Sequence, residues 1–101
     1  MAYSFLATAA FERDYDSTLA YLVYKLKSPQ AALRLMDEMD ASISKIMFNP
    51  FINAVSLKPT LRALEYREEF VTGYVMVYRV EEDAVVAKRL FHMGQAYERY
   101  V

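Results

Sequence analysis

The sequence of 101 residues has no cysteine, one histidine and 2 glycines. Without cysteine there is no disulfide framework and no thiolate nucleophile. A single histidine with no cysteine leaves nothing at the spacing of a zinc site. Two glycines, Gly73 and Gly94, cannot build a glycine-rich loop around a phosphate, and no nucleophile elbow is present. No stretch approaches the ~18 consecutive apolar residues of a membrane-spanning helix. Met1 to Ala10 lacks the basic start and long apolar run of a secretory signal. Charge is balanced, 12 basic against 13 acidic residues for a net −1, so there is no cationic excess for general nucleic-acid binding. The expectation is a cytoplasmic protein with no metal, no cofactor and no membrane partner.

What is abundant is tyrosine, with 9 residues. Tyrosine suits surfaces where one end of the side chain is dry and the other wet, so the count points to protein–protein contact. The alternative is tyrosine on half-buried strands and helix borders. The length fits one domain, residues 1–101, with one modest core.

Ala2 to Ala7 alternates, with Tyr3 and Phe5 on one side, which predicts a strand. Thr8 can cap a helix. Phe11, Tyr15, Leu19, Leu22 and Leu26 then fall on one face of a helix over about residues 9 to 27. Ser28-Pro29 is a cap followed by a first-turn proline. It opens a second helix with Ala32, Leu35, Met36, Met39, Ile43, Ile46 and Met47 on its apolar stripe, ended by Asn49-Pro50. So short a break predicts an antiparallel hairpin. Residues 51 to 60 show no period. Three strands are expected next, Leu64 to Arg67, Gly73 to Val80 and Ala84 to Phe91, joined by the turns Val71-Thr72-Gly73 and Glu81-Glu82-Asp83. The segment from Gly94 is either one helical turn or an extended arm. The fold class is α+β: an N-terminal strand, then an antiparallel helical hairpin packed on a small antiparallel sheet that ends in a three-strand meander, β-α-α-β-β-β.

Chemistry-bearing residues concentrate on the sheet and tail. Arg62, Arg67, Arg79, Lys88, Arg89, His92, Tyr97 and Arg99 are of the types that metal-independent ribonucleases use, cations for phosphate charge and His or Tyr for proton transfer. Set against this, Glu65 and Glu69 would share a strand face with Arg67, and the charges could form a solvated, ion-paired face. His92 is either a base suited to neutral pH or a hydrogen-bonded structural residue.

The chain resembles the RelE/ParE superfamily of type II toxins. The resemblance rests on Phe5, Thr8-Ala9-Ala10-Phe11, Tyr21-Leu22, Pro29-Gln30-Ala31-Ala32, Ile43-Ser44-Lys45-Ile46, Asn49-Pro50, Tyr66-Arg67, Tyr74 to Val80 and Phe91-His92 with Tyr97-Glu98-Arg99. RelE-like members are ribosome-dependent ribonucleases of messenger RNA. Their cationic strands are poorly matched by Glu68-Glu69, by Val75 after Tyr74 and by Met93 after His92. ParE-like members poison DNA gyrase. Their tail aligns without a gap on Phe91 to Arg99 and departs at Gln95 and Ala96. The resemblance therefore implies a ParE-like toxin neutralised by a cognate antitoxin, with Arg89, His92, Tyr97 and Arg99 facing the target. Tyr21, Tyr24, Phe48 and Phe51 are the antitoxin-facing candidates. The alternatives are a ribonuclease acting on the ribosome and mRNA through Arg67, Lys88, Arg89, His92 and Tyr97, or a decayed toxin that only binds its antitoxin. The resemblance is also compatible with a homodimer.

Overall fold

A computed structural model describes residues 3–101. Strand β1 covers Ser4–Ala7, helix α1 Ala9–Ala20, helix α2 Pro29–Phe48, a short helix α3 Pro59–Ala63, and strands β2, β3 and β4 Arg67–Val71, Tyr74–Glu81 and Ala84–His92. A 3-10 turn, Tyr97–Arg99, lies near the C-terminus. Of the strand expected from Ala2, that first residue lies outside the described residues. The caps sit where the side chains dictate. Thr8 Oγ1 accepts the Phe11 N–H at 3.0 Å, and Ser28 Oγ accepts the Ala31 N–H with Pro29 in the first turn.

The first helix does not run as one α-helix to residue 27. After Ala20 it widens into a π turn, Tyr21–Lys25, in which the Leu26 N–H reaches back to the Tyr21 carbonyl at 3.0 Å. The wider turn shifts the angular register. Leu22 stays buried and Val23 packs on the core, but Leu26, expected on the buried stripe, is 54% exposed. Lys27, at φ 52°, then reverses the chain. The hairpin is antiparallel: the chain reverses at the break, where the Ser28 N–H bonds to the Leu22 carbonyl, and α2 returns so that Asp40 comes near Tyr15 of α1.

Leu64 to Tyr66 is not strand. Pro59 opens α3, buried Leu61 holds it down, and the Leu61 carbonyl accepts both the Leu64 and Tyr66 N–H groups. Glu65 takes φ 59° in that turn, so the strand begins only at Arg67. The sheet order is β1-β4-β3-β2. The expected antiparallel sheet is in fact mixed, because β1 pairs with β4 in parallel, Ser4 opposite Ala84 through Ala7 opposite Ala87. The long connection between them, which includes the helices and strands β2 and β3, permits this.

A bulge re-aims β4. Its register against β3 shifts between Val77 and Tyr78, which oppose Arg89 and Ala87, leaving Lys88 as the extra residue. Strict alternation would put Ala87 and Leu90 on opposite faces, yet both join the helix-side core. That core joins Phe11, Leu22, Leu35, Met39 and Ile46 to Met76, Tyr78 and Val85. A second, smaller core lies on the other face, where Leu61, Tyr97 and Val101 cover Val75, Val77 and Phe91. It had a sequence signal, the unbroken apolar run Val75-Met76-Val77-Tyr78. Such a run marks a strand buried on both sides.

Because both cores are closed, Leu61→Ala on the second face should cost about as much as Met39→Ala on the first, ~2–5 kcal/mol in urea unfolding. The β2–β3 hairpin holds Thr72 at φ 40° beside Gly73 at φ 89°. A β-branched residue is strained there. Thr72→Asn should raise stability by about 1 kcal/mol in the same assay.

Candidate target-binding site

Strand β1 ends at Ala7, so the outer edge of β4 is unpaired from Lys88 onward. Side chains seal it. Thr8 Oγ1 donates to the Lys88 carbonyl at 2.8 Å, Asp14 Oδ2 accepts the Leu90 N–H at 3.0 Å, and Gln95 Oε1 accepts the His92 N–H at 3.2 Å. With its hydrogen-bonding groups used, this edge is poorly suited to adding a strand. Between it and α1 runs a groove of about 880 Å³, lined among others by Tyr21, Leu26, Tyr74, Arg89, His92 and Tyr100. The π turn is what brings Tyr21 and Leu26 to this wall.

Arg89 is the centre of the groove's electrostatics. Nε lies 2.6 Å from Asp14 Oδ2 and one terminal nitrogen 3.2 Å from Oδ1, a bidentate pair. The other terminal nitrogen donates to the Tyr100 carbonyl at 2.9 Å, and the guanidinium lies 4.8 Å from the Phe91 ring centre. His92 is exposed and meets Tyr74 edge-on at 5.5 Å across the hairpin. Its Nδ1 accepts the Gly94 N–H at 3.2 Å, so the proton of the neutral ring sits on Nε2. Burial, together with the nearby Tyr21 phenol, raises the Tyr74 pKa. Arg99 is exposed on the tail.

Tyr97 does not face outward as expected. It is 4% exposed, stacked on Phe91 at 5.3 Å with the rings 12° from parallel. Such a stack contributes about 0.5–1.5 kcal/mol beyond burial. Its hydroxyl donates to Glu68 Oε2 and accepts from Lys58 Nζ at 2.6 Å, while Lys58 and Glu68 are 2.8 Å apart. Burial and the Glu68 hydrogen bond raise the phenol's pKa. Burial alone would raise Glu68, but hydrogen bonds from Lys58, Tyr97 and Ser56 outweigh it and hold the carboxyl below its usual range. Burial alone would lower Lys58, and its bonds to Glu68 and Tyr97 outweigh that and raise it.

The other candidates lie apart. Lys88, on the bulge, pairs with Glu81 at 2.6 Å. Arg67 donates to the Asn53 carbonyl and lies 5.0 Å from the Phe51 ring centre. Glu69 shares its face of β2 but is buried, paired with Lys45 at 2.6 Å. Glu65 is off the strand. The structure thus gathers Tyr21, Arg89 and His92 in one groove and leaves Lys88 and Arg67 outside it. Tyr21, Tyr24, Phe48 and Phe51 are all exposed. They divide between the two ends of the hairpin, separated by most of the ~30 Å length of α2. Leu61 and Lys58 have no role legible in the sequence, and Glu68 reads there only as a mismatch to a cationic strand, because their meaning depends on Tyr97 turning inward. Among the described residues, no group of three or more His, Cys, Asp or Glu converges to hold a metal, and no helix is long and apolar enough to cross a membrane.

The order strand, helical hairpin, three-strand meander and tail is the one that the resemblance to the RelE/ParE superfamily implies. The chain matches the family model for the ParE toxin of the type II toxin–antitoxin system parDE over residues 6–97, and it belongs to that family. Two solved structures share the fold. One is a chromosomal ParDE toxin–antitoxin system from P. aeruginosa, 17% identical, TM-score 0.70, covering 90% of this chain and 96% of that one. The other is the RelBE2 toxin–antitoxin complex of Mycobacterium tuberculosis, 16% identical, TM-score 0.65, covering 91% and 99%. No curated protein sequence matches significantly.

The ionic contacts of Tyr97 have a pH signature. Glu68 is depressed in the folded state, so its contribution is present above the unfolded carboxylate value near 4.5 and is lost as pH falls through the lower folded value. Lys58 and Tyr97 are raised, so theirs is present below about pH 10 and lost as pH rises through their folded values. Unfolding midpoints measured from pH 2 to 11 should fall at both ends, and Glu68→Gln should flatten the acid limb.

Proposed function

We propose that this toxin inhibits growth by binding DNA gyrase and carries out no hydrolysis of its own. The observation that supports this most is how four of the nuclease candidates are engaged, with His92 and Arg99 left exposed. Arg89 is paired with Asp14, Lys88 with Glu81, Arg67 with a backbone carbonyl, and the Tyr97 phenol is enclosed between Glu68 and Lys58. A phosphoryl-transfer site needs cations aimed at a shared point beside a free proton donor. The preference for gyrase over the ribosome rests on ParE family membership and the order of Phe91-His92 and Tyr97-Glu98-Arg99.

The binding face in this reading is the groove of Arg89 and His92 with the adjoining tail residues Arg99 and Tyr100. A cognate antitoxin neutralises the toxin in the cytoplasm. Its support is the pair of structurally similar toxin–antitoxin complexes and the exposed apolar side chains at both ends of the hairpin. An antitoxin that covers Tyr21 would obstruct Arg89 and His92, because all three line one groove.

The test is induction of the toxin alone in a bacterial host, with pulse labelling of DNA and protein synthesis over the first minutes. DNA synthesis should fall first with translation intact, and purified toxin should inhibit gyrase supercoiling. An early fall in translation would reverse the reading in favour of a ribosome-dependent nuclease. Silence in both assays would leave a decayed toxin that binds only its antitoxin.

A further inference from the structure

We propose that Lys58 and Glu68 are positioning residues: through Tyr97 they clasp the C-terminal segment in the arrangement that presents Arg99 and Tyr100 beside the groove. The assignment rests on the tail being part of the target-binding face. It draws together three elements that are distant in sequence. Lys58 is the residue before α3, Glu68 lies in β2, and Tyr97 opens the 3-10 turn.

The bonding is complete and closed. The phenol has one proton, which goes to Glu68 Oε2, and its oxygen takes one ammonium proton from Lys58 at 2.6 Å. Lys58 also bonds Glu68 at 2.8 Å and lies 4.6 Å from the Tyr97 ring centre. Taking charge partly out of water is costly, and an apolar side chain would hold a tail as firmly. Directional bonds add what apolar packing lacks, a single register for the segment that follows.

Besides the packing of Tyr97 and Val101 on the second core and the bonds of Gly94 and Gln95 to His92, that segment has little regular structure. Beyond His92 it contains only one three-residue 3-10 turn. Its second fixed point is the Tyr100 carbonyl, held by Arg89 at 2.9 Å, and Arg89 is itself oriented by Asp14. Exposed Arg99 lies between the two fixed points. The tail is therefore tied to β2 and α3 on one side and to α1 on the other. Tyr97 in this role sets position and transfers no proton to a substrate.

The experiment is amide exchange by NMR on the full chain, read at Gln95 and Tyr100, alongside growth inhibition. Lys58→Met, Glu68→Gln and Tyr97→Phe should each speed exchange at these two amides by about tenfold while β3 and β4 amides stay protected. Growth inhibition should fall in step. Lys58→Glu combined with Glu68→Lys restores an opposite-charge pair around the phenol and should recover both readouts in part, a rescue that mere loss of packing does not predict. Unchanged exchange in Lys58→Met and Tyr97→Phe would overturn the clasp whatever the toxin's target. Lost growth inhibition with unchanged exchange would overturn it too, pointing to direct action of the phenol. Faster exchange with full growth inhibition would remove the positioning role and count against the tail as a binding element. A wild-type chain that inhibits no growth would defeat the functional reading alone, since exchange still decides the clasp.

Discussion

The central strand β3 carries apolar side chains on both faces, and the rest of the molecule is arranged to keep water from each. Val75, Met76, Val77 and Tyr78 are all fully buried. Two helices cover one face, as their apolar stripes require. Among the described residues no third long helix covers the other face; α3 and the C-terminal tail cover it with Leu61, Tyr97 and Val101. Covering an apolar surface with a tyrosine has a condition attached, because a buried phenol needs hydrogen-bond partners. Glu68 and Lys58 meet that condition, and in doing so they give the tail a defined place.

The same economy shapes the sheet's far edge. A β1 strand of only 4 residues leaves half of β4 without a neighbour. Thr8, Asp14 and Gln95 use its free backbone groups, and Asp14 also holds Arg89, Oδ2 accepting from Nε as well as from the Leu90 N–H and Oδ1 accepting from a terminal nitrogen. Edge protection and the orientation of the groove's only paired guanidinium are thus one arrangement. The bulge at Lys88 lets Leu90 point into the core while Arg89 reaches round the edge. The π turn lines the facing wall with Tyr21 and Leu26. Both irregularities stand next to the groove and nowhere else in these elements, which fits the habit of bulges to gather at functional sites.

Strong cations on a toxin of this family invite a nuclease interpretation, and magnitudes decide against leaning on it. A guanidinium in a bidentate carboxylate pair has its charge largely spent locally. Catalysis by preorganised charge requires that charge be free where the transition state develops it. Here Arg67, Lys88 and Arg89 each have an internal partner, and the Tyr97 phenol is held between Glu68 and Lys58. What remains available to a partner molecule is an aromatic, nearly neutral groove and an exposed arginine, a surface for docking.

Local chemistry was legible in the chain: the caps at Thr8 and Ser28, the break at Asn49-Pro50, a turn around Thr72-Gly73 (read one residue too long, since Val71 belongs to β2) and the α+β order all follow from side-chain geometry within a few residues. Family membership was legible for the same reason, since it rests on the order of such local features. Several things were not. The parallel pairing of β1 with β4 joins segments about 80 residues apart, and no local pattern records a partner. The π turn that exposes Leu26 is a misregister of a single residue, set by how Leu22 and Val23 pack. The inward turn of Tyr97 depends on Glu68 and Lys58 arriving from other elements, 29 and 39 positions away. The sequence by itself determined the two long helices, the strands other than the start of β2, and which residues carry charge; α3 was not legible because its hold on the chain is the burial of Leu61. Only tertiary structure decided which charges are cancelled and which side chains face a partner, because pairing and burial are properties of distance in space, and the chain encodes distance only along itself.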